Sequence, residues 1–174
     1  METIPSFAVD HTNLRPGIYI SRQDSVGDEF ITTYDIRMTG PNQEPALAPA
    51  AIHTIEHIVA TYLRNNDEWK DNVIYWGPMG CLTGNYLILK GNYPCEQIRS
   101  LMIEAFQYVA DYDDNQNAVP GTTAATCGNY LMHDLPMAKW EAKRYVQRLK
   151  NEFCCVYPGV ERPTDNNGLQ FFDA

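Results

Sequence analysis

A chain of 174 residues with a formal net charge of −9 at pH 7 is long enough to bury one core without covalent staples, and too acidic to offer the clustered Lys and Arg of a nucleic-acid surface. No apolar run reaches the roughly 20 residues that span a bilayer, and Met1-Glu2-Thr3-Ile4-Pro5-Ser6 has no basic stretch followed by an apolar one. A soluble, cytoplasmic protein with no membrane partner is expected. The five cysteines, Cys81, Cys95, Cys127, Cys154 and Cys155, form an odd set without the spacing of a disulfide framework, so they are expected as thiols, ligands or nucleophiles.

Residues from Pro5 to Pro16 include Ser6, Asp10, His11, Asn13 and Arg15 with few apolar partners, and read as an arm or loop. Ile18 to Arg22 reads as a short strand, and Asp24 to Asp28 as a turn. In a second strand, Phe30, Thr32, Tyr34, Ile36 and Met38 project one way and Ile31, Thr33, Asp35 and Arg37 the other. Arg37 is thereby placed on the less apolar face, open to a ligand or to a surface ion pair.

After the turn-rich stretch from Gly40 to Pro45, Pro49 suits the first turn of a helix running to Asn65 or Asn66. This helix carries His53-Thr54-Ile55-Glu56-His57, an H-x-x-E-H string. At about 100° per residue, Ile52, Ile55, Val59, Tyr62 and Leu63 form one apolar stripe, and His53 and His57 stand together at its border. Histidines at that offset can point ring nitrogens at one ion, while Glu56 can reach a water or substrate on that ion without binding it. Two unrelated, partly exposed histidines are the plainer alternative.

Val73 to Trp76 reads as a strand, broken before a further strand at Asn85 to Leu89. Between them Gly77, Pro78, Gly80 and Gly84 bracket Cys81, presenting its thiol from a tight bend that suits either close approach to a ligand or a hairpin corner. Pro94 to Tyr112 is an amphipathic helix in which Cys95 packs. A polar loop from Asp113 to Ala125 leads to Cys127, a thiolate candidate free to fold against the histidine pair. Pro136 opens a last helix to about Phe153. Trp140, Val146, Leu149 and Phe153 are expected inside, Lys139, Lys143, Arg144 and Lys150 in water, and Cys154 and Cys155 as small buried hydrophobes. Residues 158–174 read as a loosely held tail after a single domain over 1–157, with Phe171 and Phe172 able to dock on it.

The H-x-x-E-H string by itself fits an inverted-motif metalloprotease, a metal-assisted isomerase or lyase, or a metal-binding module without turnover. Four separated stretches decide among them: Ile52-His53-Thr54-Ile55-Glu56-His57, Pro78-Met79-Gly80-Cys81-Leu82-Thr83-Gly84, Cys127-Gly128 with His133-Asp134-Leu135, and Asp35-Ile36-Arg37. In order and spacing they resemble the S-ribosylhomocysteine lyases, the LuxS family that makes the autoinducer-2 precursor. Ser6-Phe7 and Asp10-His11 resemble that family's opening segment, and the resemblance runs from about Pro5 to Phe153.

The resemblance implies an α/β (α+β) sandwich with a mainly antiparallel sheet packed by helices, and a homodimer with active sites at the interface. It implies one divalent ion per subunit on His53, His57 and Cys127, iron(II) with zinc or cobalt as substitutes, and water in the fourth position. Glu56 and Cys81 are the implied proton carriers, and Ser6, His11, Arg37 and Gly128 the implied substrate contacts. One departure stands out: many relatives carry Asp-Ile-Ser where this chain has Tyr75-Trp76-Gly77, so the acidic group implied for the substrate ammonium is absent at Tyr75.

Overall fold

The structure, a computed structural model, describes residues 8–159. Its sheet comprises β1 (Gly17–Val26), β2 (Glu29–Arg37), β3 (Val73–Pro78) and β4 (Gly84–Lys90), all pairs antiparallel, in the spatial order β1-β2-β4-β3. The helices are α1 (Pro49–Asn65), α2 (Cys95–Ala110) and α3 (Leu135–Asn151). The architecture is the expected mixed α/β single domain with an antiparallel sheet.

Alternation along the strands makes the core. Ile18 and Ile20 of β1, Tyr34 and Ile36 of β2 and Leu87 and Leu89 of β4 pack with Ile52, Ile55, Ile58, Val59 and Leu63 of α1, Ile98, Met102 and Phe106 of α2, and Ala142, Tyr145 and Leu149 of α3. Two helix starts have a local cause. Pro49 occupies the first turn of α1, where its missing N–H costs nothing, and the Asp134 carboxylate accepts from the Met137 N–H at 2.9 Å to cap α3.

Several expectations need correction. β1 does not stop at Arg22: Asp24, Ser25 and Val26 pair with Ile31, Phe30 and Glu29, leaving a two-residue turn in which Gly27 supplies φ +62°. Backbone pairing carried the strand past the point where its side chains turn polar. β3 contains a bulge at Ile74, since Val73 and Tyr75 pair with the adjacent residues Leu89 and Ile88 of β4.

The second face of β2 is not a wet one. Asp35 and Arg37 are 2% and 3% exposed, because Tyr157 stacks on Tyr19 at 4.6 Å and donates its phenolic proton to Asp35 Oδ2 at 3.0 Å. The Arg37 ion pair is therefore buried rather than on the surface. Trp140, expected inside, is 56% exposed and lies against Arg144. The buried stripe of α3 runs through Ala138, Ala142, Tyr145 and Leu149, and Trp140 sits about 200° around the helix from Ala138. Arg144 is partly buried against Glu141 and Glu44, and Lys139 donates to the Tyr112 carbonyl at 2.6 Å, so these two are not simply in water. Cys154 and Cys155 are half-buried rather than fully enclosed. Ser6, Phe171 and Phe172 lie outside the described residues.

Candidate metal centre

His53 and His57 stand one turn apart on α1 with ring centroids 4.6 Å apart and planes at 86°. His53 Nδ1 donates to the Met132 carbonyl and His57 Nδ1 to the Pro120 carbonyl, each at 2.7 Å. A carbonyl can only accept, so both rings carry their proton on Nδ1 and leave an Nε2 lone pair free to bind a cation. Second-shell bonds of this kind fix both the tautomer and the ring orientation of histidine ligands. Gly121, at φ +73°, lets the loop pass flat against His57, for a Cβ there would sit 2.8 Å from Nδ1.

The loop between α2 and α3 brings the sulfur. Cys127 Sγ lies 3.4 Å from His53 Nε2 and accepts a hydrogen bond from the Asn129 N–H at 3.4 Å. One ligand atom each from His53, His57, Cys127 and His133 lies within 4.8 Å of all the others. Two imidazoles of fixed tautomer and a thiol suit a divalent ion of intermediate softness. The donor set thus fits the ion the resemblance implies.

In the sequence His133 stands only within the His133-Asp134-Leu135 stretch. In the structure its ring lies 4.4 Å from that of His53, and its buried Nε2 has no hydrogen-bond partner among the described residues. Burial above all, with the neighbouring His53 and His57 rings acting in the same direction, holds its pKa below the ordinary imidazole value. No spacing rule links it to α1. The signal lies instead in Thr54, whose hydroxyl is 3.2 Å from His133 Nδ1.

Cys81 belongs to a second group of side chains. The β3–β4 turn is closed by Leu82 N–H to Met79 O at 2.9 Å, with Leu82 itself at φ +57°, and the thiol is exposed. Arg37 Nη1 lies 3.7 Å from Cys81 Sγ and also donates to Thr83 Oγ1, which stands 3.1 Å from the same sulfur. Since Thr83 Oγ1 accepts from Arg37, its own proton is available to the sulfur. Partial burial opposes ionisation of Cys81, but the Thr83 hydrogen bonds and the Arg37 charge outweigh it, so the thiol pKa falls below its ordinary value. Arg37 is held rigidly by Asp35, at 3.1 Å from Nε and 2.6 Å from Nη2.

Both groups are tied to the N-terminal end of α1. Leu47 N–H donates to Leu82 O at 2.8 Å, anchoring the Cys81 turn just before the helix, and Asp134 N–H donates to the Ala50 carbonyl at 3.3 Å, anchoring the His133 loop to its first turn. Glu56 is half-buried on α1 between the two histidines. His11 is half-buried, with Nδ1 donating to the Val9 carbonyl at 2.8 Å, and Gly128 is exposed with open space around its Cα. Tyr75, at the position of the departure, is 44% exposed and its ring lies against Gly77.

Comparison with known proteins gives a consistent result. The family model described as S-Ribosylhomocysteinase (LuxS) matches residues 4–153. The chain is 58% identical to the S-ribosylhomocysteine lyase of Phocaeicola vulgatus over 149 residues, covering 86% of this chain and 91% of that protein. It is 52% identical to the S-ribosylhomocysteine lyase of Porphyromonas gingivalis over 149 residues, covering 86% of this chain and 92% of the relative. With the lyase of the same name from Clostridium acetobutylicum the figures are 49% over 151 residues, 87% and 94%.

Proposed function

The chain belongs to the S-ribosylhomocysteinase (LuxS) family, and from that membership we infer that it is a carbon–sulfur lyase cleaving S-ribosylhomocysteine to homocysteine and 4,5-dihydroxy-2,3-pentanedione, the autoinducer-2 precursor. The observation that carries the reading to residues is the convergence of the His53 and His57 Nε2 lone pairs with the Cys127 sulfur. We assign these three as the holders of one divalent ion, iron(II) with zinc or cobalt as substitutes. When bound, that ion supplies Lewis-acid stabilisation for the negative charge that develops beside a carbonyl.

The reaction moves the ribose carbonyl from C1 to C2 and then to C3, after which homocysteine leaves C5 by β-elimination. Each carbonyl shift takes a proton from one carbon and returns one to its neighbour, and moves a proton between the adjacent oxygens. The elimination takes a proton from C4 as the sulfur departs with the C5–S electron pair and is then protonated. The chain must therefore supply a carrier that is deprotonated near neutrality yet easily reprotonated. Cys81 is the carrier we assign, because the Thr83 and Arg37 contacts lower its thiol pKa. Glu56, on the same helix as the histidines, is the second carrier, serving the oxygens.

Ser6, His11, Arg37 and Gly128 are assigned to substrate contact. As a homodimer, the family's assembly, the protein would share each substrate between two subunits. With no acidic group at Tyr75, the amino-acid end of the substrate is held by backbone carbonyls or by a cation–π contact. No described helix is long and apolar enough to cross a membrane, and the cytoplasm, where the thiols stay reduced, is the compartment we assign.

A thiol-release assay on S-ribosylhomocysteine with metal-loaded protein tests the reading. Cys81→Ala and Glu56→Gln are each expected to lower homocysteine release at least 10³-fold, of the order general acid–base groups contribute, while one metal ion per chain stays bound. Full activity in either variant would remove that residue from its role, and cleavage of casein in place of thiol release would mark a hydrolase.

A further inference from the structure

The fourth imidazole of the cluster has a place of its own. His133 Nδ1 lies 3.2 Å from Thr54 Oγ1, and the bonding of that hydroxyl settles where the His133 proton resides. Thr54 Oγ1 donates its single proton to the Ala50 carbonyl at 2.8 Å and accepts from the Asp134 N–H at 3.0 Å. Toward His133 it can therefore only accept, so Nδ1 carries the proton and Nε2 holds a lone pair. That lone pair is buried, lies in the ligand cluster, and has no partner among the described residues. A buried acceptor left unpaired is unfavourable, which marks Nε2 as suited to an occupant.

Ring orientation separates His133 from the ligands. A coordinating lone pair lies in its ring plane, and a cation sits about 2.0–2.1 Å from the nitrogen. The planes of His53 and His133 are only 16° apart with centroids 4.4 Å apart, so an ion in the plane of His53 lies well off the plane of His133. His57 meets both rings edge-on, at 86° to His53 and 79° to His133, and can share an ion with His53. The stacked arrangement of His133 on His53 thus sets its ring apart from the crossed pair His53 and His57.

We propose that His133 is a substrate-positioning residue whose Nε2 accepts a hydrogen bond from the hydroxyl occupying the open position of the cation site, a sugar-chain hydroxyl in the substrate complex and water in its absence. The inference rests on the lyase reading and on His53, His57 and Cys127 as the ligand set. His133 selects a ligand atom that carries a proton, and so favours a hydroxylated chain over a bare anion.

The test uses cobalt(II)-loaded Cys81→Ala protein, blocked in proton transfer, with and without His133→Phe, which keeps an aromatic ring against His53. Chelator competition gives the cobalt affinity, and the visible cobalt spectrum reports binding of S-ribosylhomocysteine and, as a probe with no proton to donate, of azide. The double variant is expected to hold cobalt within about threefold of Cys81→Ala and to bind azide within about twofold. It should bind S-ribosylhomocysteine about tenfold more weakly, equivalent to about 1.4 kcal/mol. His133→Gln, whose amide oxygen can accept in the same region, should recover part of that loss. Cobalt affinity lowered 100-fold or more would make His133 a direct ligand and overturn the proposal, as would unchanged substrate binding. Failure of the Cys81→Ala parent to take up cobalt or to respond to substrate would instead sink the underlying lyase reading, a result read before His133 is altered.

Discussion

Cys81 owes its lowered pKa to what touches it rather than to its place in the chain. Arg37 is fixed by a buried carboxylate and orients Thr83, and Thr83 in turn offers its proton to the sulfur. Thr83→Val removes the hydroxyl while keeping the volume. The pH midpoint for iodoacetamide alkylation of Cys81 should then rise toward the ordinary thiol value of about 8.5, so that alkylation at pH 7 slows. An unmoved midpoint would show that Arg37 alone stabilises the thiolate. At this scale the sequence was uneven as a guide. His53 and His57 were legible because a four-residue offset on a helix fixes their relation, and Cys81 because glycines and a proline surround it. The role of His133 was not, since it depends on how Thr54, 79 residues away, spends its one proton. The burial of the Asp35–Arg37 pair was equally hidden, because Tyr157, which donates to Asp35, is remote in sequence.

Helix α3 is fastened to the segment leading into α1 through one carboxylate. Glu44 accepts from Arg148 at 2.6 and 2.8 Å, from Thr39 Oγ1 at 2.6 Å and from the Gly40 N–H at 3.2 Å. The Arg148 hydrogen bonds above all, against a smaller opposing effect of burial, bring its pKa down from 4.5 to about 2. A carboxyl whose folded pKa lies below its unfolded one stabilises the fold fully above the unfolded value and loses that contribution as pH falls through the folded value. Glu44→Gln should therefore cost about 1–2 kcal/mol of unfolding free energy at pH 6, and the two proteins should converge as the pH falls from 4.5 toward 2, read by urea titration at each pH. A difference independent of pH would place the effect in packing rather than charge. Elements themselves were well marked in the sequence: α1 ends where its apolar stripe does, and both helix-opening prolines stand where expected. What failed was phase and extent. Trp140 invited an inward assignment by size, yet the small residues Ala138 and Ala142 are the ones that let α3 approach its neighbours.

For the molecule as a whole, the candidate centre joins a helix to a long irregular loop. Pro120, Cys127, Met132 and His133 all meet α1 through imidazole or sulfur contacts, and regular secondary structure holds none of them. Removing the ion should therefore loosen this loop and lower the melting temperature. For a metal present at 100 times its Kd the linkage is about 2.7 kcal/mol, or roughly 5–11 °C in a chain of this size. Differential scanning calorimetry before and after chelation, then after re-addition of zinc or cobalt, checks this; an unchanged melt would mean that the loop keeps its shape through its own hydrogen bonds. The mixed α/β class and the antiparallel sheet were readable from strand and helix order, while the gathering of distant loops at one helix end was not, because such contacts leave no periodicity in the chain.

The bulge at Ile74 bears on how the protein behaves when concentrated. β1 and β3 form the two rims of the sheet, and an unguarded rim invites the matching strand of another molecule. Along β1 the Ile18 N–H is already taken by the Cys154 carbonyl at 2.9 Å. On β3 the extra residue throws the rim out of step, and Pro78 withholds a donor, so a stranger's strand finds no continuous ladder to extend. The irregular rim beside Tyr75 and Gly77 is thereby a poor template for edge-to-edge association.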